Sequence, residues 1–213
     1  MAASLIRDAQ DYSAEAIAAR EAEINGKPQR IAELQLEEID GEAREIIRTI
    51  RSSTGKESDS VIPGYMRTTL RHPALFRAQM QMGTTIFKGV LPPRERELAV
   101  LRIGWLLRAP YEWGEHVDIG KRYGITDAEI EALIVGPGAP AWTDHERAIL
   151  TAVEELLANQ MISDATWATL AARWNEQQLI EFPMMVGQYV ATAFVQNSLR
   201  ITLADHNPGL THR

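Results

Sequence analysis

Three ionisable side chains, Glu97, Glu112 and His116, have the types and spacing of an acid–base site. On a helical wheel at about 100° per residue, Val100, Leu101 and Gly104 lie within roughly 60° of Glu97, and Trp105 at about 80°. Glu95 and Arg102 fall on the far side. Glu97 is therefore expected to face the core, where a carboxylate must be paired, protonated or functional. In the next helix Glu112, His116, Ile119 and Tyr123 follow i, i+4, i+7 and i+11 and share one stripe, with Asp118, Lys121 and Arg122 turned away. Glu112 stands in the first turn after Pro110, where free N–H groups favour the anion. Burial should raise the pKa of Glu97 unless His116 is near. Carboxyl groups pushed apart in pKa are suited to acid and base roles, and His116 could shuttle a proton near neutral pH.

Each residue also has a structural reading. A first-turn acid complements the helix dipole. An inward histidine is commonly a hydrogen-bonded core residue. Glu97 could pair with Arg94 or Arg108, and Trp105, Tyr111 and Trp113 are as suited to packing as to a ligand cage. Glu112 and His116 at i, i+4 could chelate a metal, but two ligands make a common coincidence, so no metal is assigned.

The elements that must hold these residues read as helices. Alanine, glutamate and arginine favour helix in an N-terminal arm over residues 1–58, interrupted at Gly26–Pro28. A second helical stretch there holds Leu34, Ile39, Ile46, Ile47 and Ile50. The polar segment RSSTGKESDS, residues 51–60, reads as a linker. Residues 59–213 form the denser domain. Pro73 opens a helix to about Lys88, the pair Pro92–Pro93 one to about Arg108, and Pro110 one to about Tyr123, with Gly124 as left-handed terminator. Thr126 with Glu129 and Thr143 with Glu146 are capping boxes. Ser163 caps a helix to about Trp174. Asn175 with Gln178 opens a short helix, and Pro183 breaks or restarts a long one to about Ala204. No stretch reads as a strand. The fold class is all-α, a helical bundle with an N-terminal helical arm.

Composition narrows the chemistry. The absence of cysteine from the 213 residues excludes disulfides, thiolate nucleophiles and Cys-ligated metals. A hydrophobic share of 45% against 24% charged is that of a folded domain rather than a disordered chain. The net charge of −7 and the lack of a basic stripe argue against nucleic-acid partners. No apolar run suits a bilayer and the N-terminal stretch lacks a signal-peptide core, so a cytoplasmic protein without membrane partners is expected.

The stretch ERELAVLRIGWLLRAPYEWGEHVDIGKRYGITDAEIEAL resembles the signature region of the carboxymuconolactone decarboxylase and alkylhydroperoxidase D-like family. A glutamate stands early in one helix, Tyr-Glu-Trp-Gly-x-His follows in the next, and then come a Gly-ended helix and a capped one. LRHPALFRA, the Trp167–Trp174 segment and GQYVATAF extend the likeness over about residues 60–205. The resemblance implies an alkylhydroperoxidase D-like helical bundle. It places the family's relay glutamate and histidine at Glu97 and His116. The two positions of the Cys-x-x-Cys are Ala109 and Glu112, so dithiol peroxide reduction is excluded.

The non-thiol branch implies a cofactor-free lyase of the decarboxylase type, or an isomerase. It would act on a small carboxylated or lactone metabolite, with aromatic-compound catabolism as a setting. His116 is then the proton donor, Glu97 its orienting partner, and Glu112 a group that binds or polarises substrate. Tyr111, Trp113 and Trp105 are candidate substrate contacts. A carboxylated substrate also needs a cation, for which Arg67 and Arg71 are candidates and Arg102 the weakest. The alternatives are a non-catalytic small-molecule-binding protein and a purely structural oligomer. A homo-oligomer is expected with either.

Overall fold

Prolines and short polar side chains start most of the helices. The computed structural model describes residues 12–53 and 62–213. Among them are ten α-helices and no strand. The arm contributes α1 (Ala14–Ile24) and α2 (Gly41–Ser53), followed by α3 (Gly64–Thr69) and α4 (Pro73–Phe87). The centre is α5 (Pro93–Leu106) and α6 (Pro110–Arg122), then α7 (Asp127–Val135) and α8 (Asp144–Asn159). The bundle closes with α9 (Asp164–Ala171) and α10 (Glu176–Leu199). Pro73, Pro93 and Pro110 each occupy a first turn, where the missing N–H costs nothing. Thr126–Glu129, Thr143–Glu146 and Asn175–Gln178 form reciprocal capping boxes. Gly124 has φ +83°, as a left-handed terminator needs.

The structure departs from the sequence pattern in several places. Gly41 opens α2, so Leu34 and Ile39 precede it in non-helical backbone. Ile39 is nevertheless buried with Ala43, Ile47, Leu70 and Phe76. Residues 51–53 of the expected linker continue α2; the rest of it, the boundary at 58/59 and residues 1–11 lie outside the described residues. Helix α9 ends at Ala171, and Trp174 beyond it turns into the core at 5% exposure. Pro183 does not break α10, which runs unbroken through it. Phe182, Met185 and Val186 around the proline are buried, and their packing outweighs the lost hydrogen bond.

Helix α5 is surrounded. Every residue from Arg96 to Leu106 is buried, between α6, α7, α8 and α10. One face joins the cluster of Ile149, Val153, Phe182 and Met185, and another that of Trp105, Trp113, Val117 and Ile130. A helix buried all round has no polar side to turn outward. Arg102, expected on the far side, is therefore also inside, at 6% exposure. After α10 the chain returns to α6, where the His212 carbonyl accepts from the Trp113 indole N–H at 3.0 Å. No described helix is long and apolar enough to cross a membrane.

Candidate active site

Helices α5 and α6 meet closely enough to bring Glu97 and His116 together. The turn between them is tight: the Ala109 N–H donates to the Gly104 carbonyl at 2.9 Å, and Arg108 adopts φ +46°. Gly104 makes the approach possible. A Cβ there would stand 3.3 Å from the Trp113 backbone nitrogen, closer than most side chains tolerate.

The result is a linear charged array. Arg96 Nε donates to Glu97 Oε1 at 2.9 Å. Glu97 Oε2 lies 2.6 Å from His116 Nδ1, and His116 Nε2 lies 3.3 Å from Glu112 Oε1. Glu97 is wholly buried, Glu112 3% exposed and His116 8% exposed. Arg96 is held in turn by the Phe87 carbonyl, 2.7 Å from Nη1, and its guanidinium lies 4.3 Å from the Phe87 ring centroid. Tyr189 of α10 meets the imidazole edge-on, with ring centroids 5.2 Å apart.

This array fixes the ionisation. Burial alone would push the Glu97 carboxyl up, but His116 and Arg96 together hold it below the usual carboxylate range. Burial alone would likewise discharge His116. The charge of Glu97 and the hydrogen bonds of Glu112 and Glu97 reverse that and raise it to about 10. Both ring nitrogens face carboxylates, the arrangement of an imidazolium that donates twice. At neutral pH His116 is thus a proton donor at rest, not the evenly poised shuttle expected from its ordinary pKa. Glu97 pairs with Arg96 and His116 rather than with Arg94 or Arg108. Arg94 reaches Glu129 and Glu146 instead.

His116 and Glu112 open onto a cavity of about 250 Å³. Tyr65 and Met66 of α3, Met80 and Phe87 of α4, Tyr111 of α6 and Tyr189 and Gln196 of α10 are among its lining. Tyr111 is the one aromatic candidate that reaches it. Trp105 and Trp113 do not line it: they lie in the core on another side of α5, 5.0 Å apart, with Tyr12 stacked on Trp105 at 5.8 Å. The candidate cations are elsewhere too. Arg67 pairs with Glu33, and Arg71 Nε donates to the Ala32 carbonyl at 2.6 Å, so both fasten the arm. Arg102 binds Glu154 and the Leu133 and Ile134 carbonyls at the end of α7. Among the described residues no group of three or more His, Asp or Glu is arranged to hold a metal.

Sequence reasoning did not find Arg96, Tyr65, Tyr189 or Gln196. One signal was available. Gln188, Thr192 and Gln196 recur every four residues through an apolar helix, which marks a polar stripe facing something other than core.

Residues 73–155 match the family profile described as the carboxymuconolactone decarboxylase family. No curated protein matches the chain. Among solved structures, the alkylhydroperoxidase AhpD core of a peroxidase-related protein from Ralstonia eutropha superposes with a TM-score of 0.71 at 17% identity, covering 84% of this chain and 94% of that one. A putative antioxidant defence protein AhpD from Agrobacterium tumefaciens gives 0.59 at 20%, over 64% and 94%. The debrominase Bmp8, in complex with 2,3,4-tribromopyrrole, gives 0.66 at 16%, over 84% and 94%. These likenesses establish the AhpD-like helical fold.

Proposed function

We propose, from the match of residues 73–155 to the carboxymuconolactone decarboxylase family profile, that the cavity is the active site of an acid–base enzyme of the lyase or isomerase class. The observation that carries this reading is a buried histidine with a carboxylate at each ring nitrogen, at the wall of a cavity sized for a small metabolite. His116 donates its Nε2 proton to the carbanion or enolate carbon of the substrate. Glu97 and Arg96 orient the ring and hold its charge. Glu112 removes a proton from the carbon beside a carbonyl and, across the 3.3 Å contact, returns it to the neutral imidazole. In isomerisation one proton leaves carbon and one arrives, and in decarboxylation CO2 leaves and the carbon takes the His116 proton, so neither needs an oxidant or reductant. Tyr111 contributes to substrate contact. Thiol peroxide reduction is excluded by the lack of cysteine.

A lactone or ketone suits this site better than an acid. A carboxylated substrate needs a cation to offset the cost of burying its charge. Neither Arg67, Arg71 nor Arg102 lines the cavity, and the Arg96 side chain is engaged by Glu97 and the Phe87 carbonyl. The tribromopyrrole complex of the debrominase supports a small ring as ligand class within this fold. The proposal includes an arm and linker over residues 1–58, a catalytic domain over 59–213, and a cytoplasmic homo-oligomer. Exposed Trp167, Ile180, Met184 and Phe194 support the last as self-association surface.

The test is a panel of lactones, ketones and β-keto acids incubated in deuterated buffer with wild type and His116→Gln, read by NMR. Product or carbon-bound deuterium with wild type alone, the variant being folded, supports the reading. Ligand line-broadening in both proteins with neither product nor exchange would leave a binding protein in its place.

A further inference from the structure

The cavity lining says which molecules can enter. Gln196 of α10 is 3% exposed and lines the cavity, yet its side-chain Oε1 finds no donor in the protein. A buried acceptor without a donor costs free energy, and such groups normally meet a ligand donor or an ordered water.

Both carboxylates of the cavity already have partners within the protein. Glu112 faces the His116 imidazolium. Glu115 accepts from Asn207 Nδ2 at 3.1 Å and lies 3.2 Å from His206 Nε2. No lysine or arginine is among the lining residues. An incoming carboxylate would meet two acidic side chains and no free cation, and burying it unpaired is costly. An incoming ammonium would find carboxylates whose partners it must displace. Met66, Met80 and Phe87 make much of the remaining wall apolar, with the uncharged polar groups of Thr84, Gln188 and Thr192 among them. By comparison with a cavity of about 150 Å³ that holds benzene, this one accommodates about ten non-hydrogen atoms.

We propose that the cavity selects an uncharged, largely apolar ring compound that hydrogen-bonds the Gln196 side-chain amide, and rejects carboxylate and ammonium analogues of the same size. This rests on the reading of the cavity as the active site, and it narrows the substrate to a neutral phenol, or to a lactone or ketone that carries a hydroxyl or N–H group able to donate to Gln196 Oε1.

Three phenols of equal size make the test: 4-hydroxyacetophenone, which is neutral, 4-hydroxybenzoate, an anion, and tyramine, a cation. Binding to the full chain is measured by calorimetry near neutral pH for wild type and Gln196→Leu. The neutral ketone is expected to bind at least tenfold more tightly than the other two. Gln196→Leu should weaken it about five- to tenfold, the worth of one hydrogen bond, without lowering the melting temperature. A merely structural glutamine would lower the melting temperature and leave the affinity ratio unchanged. Equal or tighter binding of the anion or cation, an unchanged ketone affinity in Gln196→Leu, or no ketone binding at all overturns the proposal. Binding is read apart from turnover. Ketone selectivity without proton exchange would keep this inference and sink the enzyme reading. Exchange on an acid with benzoate selectivity would do the reverse.

Discussion

Glu97→Gln removes one charge from the centre of the buried array while keeping the side-chain shape. Two consequences follow. Arg96 and His116 both lose their anionic partner, and breaking a buried pair from one side costs about 3–5 kcal/mol. The imidazolium keeps only Glu112, so its pKa should fall from about 10 by about one to three pH units. The sign of the pH dependence comes from linkage. In the wild type His116 holds its proton in the native state to about 10, while the unfolded chain releases it near 6.5. Its contribution is fully present below 6.5. Between these values the native state binds one proton more, so stability falls by about 1.4 kcal/mol per pH unit as pH rises. Glu97 acts in the opposite direction. Its lowered value gives stability that is present above 4.5 and lost as pH falls through the folded value. Urea unfolding of both proteins at intervals from pH 5 to 10 reads all of this, and the difference between them cancels the other histidines. The wild type should lose stability more steeply than the variant from about pH 8 to 10, and the variant should be the less stable near neutrality. Parallel curves, or a variant as stable as wild type at pH 7, would refute the electrostatic account.

Three further changes probe the supports. Gly104→Ala places a methyl 3.3 Å from the Trp113 backbone nitrogen and should cost about 1–3 kcal/mol in urea unfolding; no loss would mean that α5 and α6 do not meet so closely. Pro183→Ala restores a helical N–H within α10 and should add about 1–3 kcal/mol, whereas destabilisation would contradict an unbroken helix there. Glu112→Cys puts the chain's sole thiol in the first turn of α6 beside His116, a setting that lowers thiol pKa from about 8.5. Iodoacetamide should alkylate it at pH 7 at least roughly tenfold faster than free cysteine. A native protein that resists alkylation would argue against the open cavity or the imidazolium.

Much of this was legible in the sequence for identifiable reasons. Helix starts are local events, so Pro73, Pro110 and the Thr126 and Thr143 boxes were readable from a few residues each. The i, i+4 pair of Glu112 and His116 needed only helical geometry, and the short Ala109–Pro110 turn implied that Glu97 would be near. What could not be read was set by tertiary packing. A wheel assumes one inner face, but α5 is enclosed on all sides, so its angles could not say that Trp105 faces a core while Glu97 faces the site. Arg67 and Arg71 were plausible cations until the arm, packed against α3, engaged them. Tyr189 and Gln196 come from a helix far along the chain, and only the folded bundle brings them beside His116.

The proposed chemistry depends on a proton that stays on His116 at neutral pH. The most direct measurement is 15N NMR of the histidine rings in the full chain between pH 6 and 11, with His116→Gln to assign the signal. Two protonated ring nitrogens that persist to about pH 9, with deprotonation near about 10, are the predicted result. A ring that has become a neutral single tautomer by pH 8 would contradict the account, because the resting proton donor of the proposed chemistry would then be absent.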